Sequence, residues 1–437
     1  MKARRIGIGL GASAVATAAL ALGGLAGGSG SSPGAPAPPP AAAALLPGAA
    51  AADTASTVAS LERRVEARPD DQRSLALLGL AYAQRLRETG DAGFLARASR
   101  ALGRAHDLAP RDPVALTGLA SLAAMRHQFG LAERLARQAV TLEPGSAGPF
   151  GILGDAFVET GRLRAGFAAF DRMASLKPSL ASYARVAYAR ELLGDVAGAR
   201  AALRLAIEAG GAVPEHAAWS LVQLGNLELG TGRLTAAARV YREALRRLPG
   251  YAYADAGLAR VEAAHGRLDA AIFRLQAVVD RVPLPEFATR LADLYDAAGR
   301  RAEAARTEGL VRTIERVLAA NGVRTELETA LFDLDRGVRL RDALARARTY
   351  ESRSPSLQAE DVLAWALVRN GRCAEALAHS RRALRLGTRD ALMWFHRGAA
   401  ERCLGHARLA RKALRRALAI NPWFSVRWAP VARVWSQ

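Results

Sequence analysis

The chain has 437 residues, of which 51% are hydrophobic and 6% aromatic, and its formal net charge is +20 at pH 7. Lys2, Lys177 and Lys412 are the only lysines, so the charge comes from arginines that are spread along the whole chain. Such a charge argues for solubility and nonspecific attraction rather than for a nucleic-acid partner. No phosphate-binding glycine loop, nucleophile elbow or helical histidine pair occurs, so no enzyme, cofactor or metal is predicted.

The first predicted element is an export signal over residues 1–26. Three basic residues among the first five precede an apolar stretch that ends at Leu25. The stretch is either removed after Ala26, which the small residues Gly24 and Ala26 favour, or kept as a weak membrane anchor. In both cases we expect an exported protein, extracellular or in the cell envelope and, if anchored, on the outer face of the plasma membrane.

The second predicted element is a disordered linker over residues 27–56. This segment is rich in Ala, Pro, Gly and Ser and carries no charge before Asp53. A stretch of this composition cannot bury a core and behaves as a flexible, partly extended spacer. We expect it to hold the rest of the chain away from the membrane or cell wall.

After the linker, Ala and Leu recur three and four residues apart, as in amphipathic helices. Pro110, Pro144 and Pro178 are 34 residues apart, and Pro249 and Pro283 repeat the interval. Turn glycines recur at similar intervals, at Gly161, Gly194, Gly232, Gly266, Gly299, Gly371 and Gly405. A fixed period of this length indicates stacked helical repeats that bury a shared core.

The pattern within one period is clearest over residues 147–178. Its characteristic positions are Phe150, Leu153, Gly154, Phe157, Gly166, Phe170, Met173 and Pro178. A second copy reads Leu221, Leu224, Gly225, Ala237, Tyr241, Ala244 and Pro249. In this pattern the sequence resembles the tetratricopeptide repeat family, in its exported bacterial type. Small residues such as Gly225 let two helices approach closely, and Tyr241 is expected to fill the gap between neighbouring pairs.

The resemblance implies an all-α fold, an α-solenoid (right-handed superhelix) of about ten helix pairs over residues 57–430, with a C-terminal cap over 423–437. The expected repeats are 72–110, 113–144, 147–178, 180–213, 218–249, 252–283, 285–322, 323–355, 357–388 and 391–422. It also implies a non-enzymatic scaffold that binds a protein or peptide in a concave groove.

The two cysteines, Cys373 and Cys403, are placed by the repeat register at the same level of two adjacent antiparallel helices. An exported protein with two cysteines can carry one disulfide. The alternative is a pair of semi-buried thiols whose Cα atoms lie too far apart to be bridged.

In tetratricopeptide arrays the first helix of each repeat lines the concave face. Reading the groove-facing register gives the candidate site residues Asp155, Glu159, Tyr188, Glu191, Asn226, Arg260, Asp293, Asp296 and Trp365. This polar series predicts either a solvated wall that faces a ligand or simple surface polarity. The acidic residues of the middle repeats favour a peptide that carries Lys or Arg.

The alternative to a peptide-binding scaffold uses the outer helices. Arginine-rich faces there would bind a polyanion, such as a cell-wall polymer, anionic lipid or nucleic acid. Binding of that kind weakens steeply with salt, which separates it from groove binding.

Overall fold

The computed structural model describes residues 54–89, 91, 93–210 and 214–437. The predicted export signal and the linker as far as residue 53 lie outside these ranges. Residues 54–56, which fall within the predicted linker, belong to the first helix, which begins at Thr54. Within the described ranges, none of the helices combines the length and apolar character that crossing a membrane requires.

The described part of the chain is built from helices and contains no strand. The helices are α1 Thr54–Ala67, α2 Gln72–Thr89, α3 Gly93–Leu108, α4 Pro113–Met125, α5 Phe129–Leu142, α6 Ala147–Glu159, α7 Leu163–Leu176, α8 Leu180–Leu192, α9 Val196–Ala209, α10 Pro214–Gly230, α11 Leu234–Arg247, α12 Ala252–Ala264, α13 Leu268–Arg281, α14 Pro285–Ala297, α15 Arg301–Ala320, α16 Glu326–Arg336, α17 Leu340–Glu351, α18 Leu357–Arg369, α19 Cys373–Ala383, α20 Ala391–Cys403, α21 Ala407–Ile420 and α22 Trp428–Trp435.

Helices α2 to α21 form the ten predicted pairs, since each even-numbered helix packs most extensively against the helix that follows it. The prediction of an all-α solenoid is therefore confirmed. One boundary differs from the predicted one: the fifth pair begins at Pro214 rather than at residue 218. The predicted turn glycines from Gly161 to Gly405 all adopt left-handed φ angles between 73° and 78°. This conformation suits a residue without a Cβ and ends the first helix of each of these pairs.

Close approach within and between pairs is clearest around Tyr241, which is fully buried. A Cβ added at Gly225 would lie 2.4 Å from the Tyr241 ring atom Cε1, and one added at Gly257 would lie 2.5 Å from the same atom. The ring therefore lies between the first helices of the fifth and sixth repeats, as the sequence predicts for this residue. Because interiors are close-packed, neither glycine leaves room for a larger residue.

The superhelix coils tightly enough for successive turns to touch. Loops after the seventh, ninth and tenth repeats reach the C-terminal ends of the first helices of the second, fourth and fifth repeats. His127 Nδ1 lies 2.8 Å from the Arg324 carbonyl oxygen, Thr388 Oγ1 donates to Leu192 O at 2.6 Å, and Asn421 Nδ2 donates to Leu229 O at 2.8 Å. The partners in these three contacts are 197, 196 and 192 residues apart. This nearly constant separation shows that one turn of the superhelix takes between five and six repeats.

Apolar packing accompanies these contacts. One cluster of buried residues includes Leu80 and Met125 of the first two repeats together with Val323 and Phe332 of the eighth. A second cluster joins Tyr188 of the fourth repeat to residues of the ninth. The later repeats therefore share a core with the early ones and cover part of their inner face.

We expect Gly225→Ala to destabilise the protein by roughly 1–3 kcal/mol, the usual range for overpacking a core, because the added methyl group collides with the Tyr241 ring. Urea unfolding followed by circular dichroism measures the change. Gly103→Ala in α3 is the matched control, since a Cβ there meets no atom within 4 Å. That variant should be neutral or up to about 1 kcal/mol more stable. Equal stability of the two variants would contradict the packing described for Tyr241.

Candidate functional site

The inner face of the first solenoid turn is closed, which corrects the expectation of a solvated groove there. Asp155, Glu159 and Tyr188 are buried, with 6%, 7% and 8% of their surfaces exposed. Arg185 donates to both oxygens of Asp155, from Nε at 3.0 Å and from its terminal nitrogen at 2.6 Å. The physical reason is the contact between turns, because Leu357 of the ninth repeat shares an apolar cluster with Tyr188.

Helices on opposite sides of the first turn also meet across its interior. Gln84 Nε2 in α2 donates to Glu215 Oε2 in α10 at 3.2 Å, and both residues are buried. The Tyr251 hydroxyl donates to the other oxygen of Glu215 at 3.3 Å. The first and fifth repeats are therefore in contact across the interior at this level.

Burial in this region changes the ionisation of carboxyl groups. Burial, reinforced by the nearby Asp155, raises the pKa of Glu159 to about 8. Burial likewise raises the pKa of Glu328 in α16, on the opposing turn, to about 8. Both carboxyls are therefore largely protonated at neutral pH, which avoids two uncompensated negative charges in the interior. Glu191, the remaining acidic candidate of the middle repeats, is half-buried at the end of α8.

Farther along the inner face, Asp293 and Asp296 of α14 hold an arginine of the chain's own C-terminal segment. One terminal nitrogen of Arg427 lies 3.1 Å from Asp293 Oδ1 and 2.6 Å from Asp296 Oδ2. Although burial acts in the opposite direction, these carboxylates raise the pKa of Arg427. Asp293 also accepts a hydrogen bond from Arg336 of α16 at 3.0 Å.

The next residue of that segment, Trp428, reaches Trp365, another predicted groove residue. The indole nitrogens of both tryptophans donate to Asp335 Oδ1 at 3.0 Å. Their ring centroids are 5.2 Å apart in an edge-to-face arrangement, and the Arg369 guanidinium lies over both rings. The segment predicted as a terminal cap therefore also turns inward and occupies the inner face of the seventh to ninth repeats.

The last two candidates, Asn226 and Arg260, lie together beside a small cavity. Arg260 donates to Asn226 Oδ1 at 3.3 Å, and the Tyr241 hydroxyl donates to the same oxygen at 2.8 Å. Arg260 and Arg290 line the cavity, which residues 423–426 close on one side. The structure thus divides the predicted series into a closed region, a region that holds Arg427 and Trp428, and this cavity.

One group of potential metal ligands is found in the described residues, formed by Glu351, Glu360 and His379. Arg382 Nε donates to Glu360 at 2.7 Å and its terminal nitrogen lies 2.6 Å from His379 Nδ1. The guanidinium of Arg382 therefore occupies the place that a metal cation would take beside Glu360 and His379. We interpret the group as an ion-pair network.

Cys373 begins α19 and Cys403 ends α20, the level at which the repeat register places them. Their Cα atoms are 5.6 Å apart, within the range that a disulfide requires, and the sulfur atoms are joined. The bridge connects the last two repeats.

A family model for the tetratricopeptide repeat matches residues 228–289, from the end of α10 into α14. The ten stacked helix pairs extend the same unit over the described chain. The described chain therefore has a tetratricopeptide repeat fold. Among curated proteins, none matches its sequence. Tetratricopeptide repeat proteins in general are non-enzymatic scaffolds that bind proteins or peptides.

Several solved structures are similar to this chain. A thermophilic tetratricopeptide repeat protein of Thermus thermophilus is 22% identical over 41% of this chain and 92% of its own, with a TM-score of 0.36. Human IFIT1, in a dimer with PPP-AAAA, is 18% identical over 72% of this chain and 73% of its own, with a TM-score of 0.46. PilF of Pseudomonas aeruginosa is 16% identical over 50% of this chain and 94% of its own, with a TM-score of 0.36.

The sequence pattern missed the residues that fill the inner face, namely Arg427, Trp428, Asp335 and Arg290. A signal for the first two was present, since three of the six tryptophans lie in the last fifteen residues. Large apolar rings at that density need a surface to pack against. Asp335 and Arg290 do not lie at the groove-facing positions of the repeat pattern.

We expect the free energy of unfolding to fall as the pH rises from about 5 to about 8. The unfolded state loses the Glu159 proton near the ordinary pKa of 4.5, whereas the folded state keeps it to about 8. Folding therefore becomes less favourable across this window, by up to roughly 1.4 kcal/mol per pH unit for each such group. Glu159→Gln, which mimics the protonated form, should flatten the dependence in a series of urea titrations.

The control for this pH series is Glu66→Gln, which removes an exposed carboxyl of α1. Its pH dependence should equal that of the unsubstituted protein. If Glu159→Gln also left the slope unchanged, the assignment of a proton to Glu159 would be wrong.

We expect a thiol count on unreduced, unfolded protein to find no free thiol, and two after reduction. Replacing both Cys373 and Cys403 by Ser should cost roughly 3 kcal/mol of stability, since the bridge closes a loop of 30 residues in the unfolded chain. Two free thiols before reduction would disprove the bridge.

Proposed function

We propose that this chain is a non-enzymatic scaffold that binds a polypeptide on the inner face of its seventh to ninth repeats. The observation that carries the proposal is the occupancy of this face by the chain's own C-terminal segment through Arg427 and Trp428. A surface that holds one polypeptide segment with specific side-chain contacts is suited to hold another of the same chemistry. Repeat solenoids use such extended inner surfaces for binding.

The contacts define the chemistry of the ligand. Asp293 and Asp296 provide two carboxylates for one guanidinium, and hydrogen bonds between charged partners are the strong ones. Asp335 and Trp365 provide an acceptor and a ring face for an indole. The preferred ligand is therefore a segment with an arginine next to an aromatic residue. This agrees with the sequence-based expectation that the acidic groove positions favour basic peptides.

The C-terminal segment must leave before another polypeptide can bind at the same place. Because the segment is covalently attached, its effective concentration at the site is high, in the millimolar range for short flexible connections. An external peptide of the same sequence therefore competes poorly with it. The segment acts as an internal competitor that lowers the apparent affinity for partners.

The proposal includes export. The basic and apolar N-terminal residues support it, and so does the bridge between Cys373 and Cys403, because disulfides persist mainly in oxidising compartments. An exported scaffold would meet its partner in the cell envelope or outside the cell. Detection of the protein, after cell fractionation, in the cytoplasm alone would refute this part.

A second candidate function is binding of a polyanion to the outer surface. Arg408, Arg411, Lys412 and Arg415 of α21 line one surface depression. Affinity for heparin or anionic vesicles should then fall steeply between about 50 and 200 mM salt, in the manner of phosphate contacts. Weak salt dependence would exclude this candidate.

We expect Arg427→Ala to increase the affinity for a labelled peptide of residues 423–437 at least tenfold. The variant loses the ion pairs that hold its own segment, so the peptide competes with a weaker occupant. Fluorescence anisotropy with the full chain measures the affinity. Arg416→Ala is the matched control, because Arg416 is exposed on α21, the helix that precedes the C-terminal segment.

Adding Asp296→Asn to the Arg427→Ala variant should reduce peptide binding again. Asp296 is suited to this test because its ion pair is with Arg427, whereas Asp293 also holds Arg336. Equal peptide binding by the unsubstituted chain, Arg427→Ala and the double variant would contradict the proposed function.

A further inference from the structure

A cavity of about 70 Å³ lies between α10, α12, α14 and the C-terminal residues 423–426. Its apolar walls come from Leu229, Leu294 and Phe424, which are buried. Its polar side is formed by Arg260 and Arg290, from neighbouring first helices. The cavity adjoins the contacts of Arg427, because Asp293 lines the cavity and also holds Arg427. The same C-terminal segment forms one wall.

Arg260 has little compensation for its charge. Its only hydrogen bond in the part of the chain that the structure describes goes to Asn226 Oδ1, at 3.3 Å, and it forms no salt bridge there. That oxygen is shared with the Tyr241 hydroxyl, which donates to it at 2.8 Å. A guanidinium has five N–H donors, so most of the hydrogen-bonding capacity of Arg260 is not used by the protein.

Arg290 adds a second positive charge on the same side of the cavity. Burial, together with the repulsion from Arg290, lowers the pKa of Arg260 to about 10. Two guanidiniums that face one cavity repel each other, and the repulsion is stronger where apolar walls exclude water. An anion between them would remove this cost.

Two carboxyl groups lie near the arginines, and in the described residues Arg260 forms a salt bridge with neither of them. Asp293 lines the cavity but already holds Arg336 and Arg427, at 3.0 and 3.1 Å. Glu286 is buried, and burial raises its pKa even though Arg290 and Arg260 act against the shift. Arg260 therefore faces the cavity without a paired carboxylate in the part of the chain that the structure describes.

We propose that this cavity is a binding site for a small oxyanion of the phosphate class, held between Arg260 and Arg290. Guanidinium groups bind phosphate oxygens through paired, charge-assisted hydrogen bonds. A cavity needs about 10–15 Å³ to hold one water molecule. The volume of about 70 Å³ therefore accommodates the five heavy atoms of one phosphate rather than a peptide segment.

The consequence concerns the C-terminal segment. Phe424 and Ser425 close the cavity, so a bound oxyanion contacts a wall that exists only when the segment is in place. Phosphate binding then stabilises the closed position of residues 423–426. The proposal rests on the cavity alone and does not require that the inner face binds a partner.

The test is calorimetric titration of inorganic phosphate into the full chain at constant ionic strength, with chloride as the balancing anion. We expect saturable binding that Arg260→Gln and Arg290→Gln each weaken at least tenfold. Arg242→Gln is the matched control, because it removes the same charge from an exposed position of α11. A parallel titration with glycerol phosphate distinguishes free phosphate from a phosphate ester as the ligand, since only a cavity that opens to solvent accepts the ester.

Thermal unfolding keeps the result interpretable if a variant is altered in stability. Without phosphate, Arg260→Gln should unfold at the same or a higher temperature, because the repulsion between guanidiniums is relieved. Phosphate should raise the unfolding temperature of the unsubstituted chain and of Arg242→Gln only. Absence of saturable binding to the unsubstituted chain, or binding that both cavity variants retain, would overturn the proposal. Failure of peptide binding to the inner face would leave it intact.

Discussion

The contact between successive turns of the superhelix is the constraint on which the rest of the molecule depends. Thr388 and Asn421 donate to the carbonyl oxygens of Leu192 and Leu229, at the C-terminal ends of α8 and α10. Carbonyls in the last turn of a helix have no partner within that helix. Side chains from one turn therefore satisfy the backbone of the turn before it, and this fixes the pitch of the solenoid.

A fixed, tight pitch turns much of the inner face into an interior. Polar groups that a wide solenoid would expose to water must here find partners or lose their charge, because an unpaired buried charge is costly. Asp155 is paired with Arg185, while the carboxyl of Glu159 keeps its proton. Farther along, the C-terminal segment brings Arg427 to Asp293 and Asp296. The same requirement is thus met by neighbouring repeats in one region and by the end of the chain in another.

Most of the fold could be predicted from the repeat period. Intervals between prolines and glycines located the ten helix pairs, and the small slot at Gly225 correctly indicated the packing of Tyr241. The period could not reveal contacts between residues almost six repeats apart, because it records how each repeat stacks on the next. The pitch results from the sum of small rotations between successive repeats. None of these rotations is marked by a characteristic residue. The groove register named Asp293, Asp296 and Trp365, but not the segment that occupies them, since Arg427 and Trp428 lie outside any repeat.

The occupying segment follows the surface that it covers in chain order, and this order has a consequence during synthesis. A ribosome completes the seventh to ninth repeats before residues 423–437 exist. For that interval Asp293, Asp296 and Trp365 have formed, while Arg427 and Trp428 have not yet been added. The nascent protein is therefore the form in which this surface meets its surroundings without an internal competitor, and the synthesis of residues 423–437 ends that state.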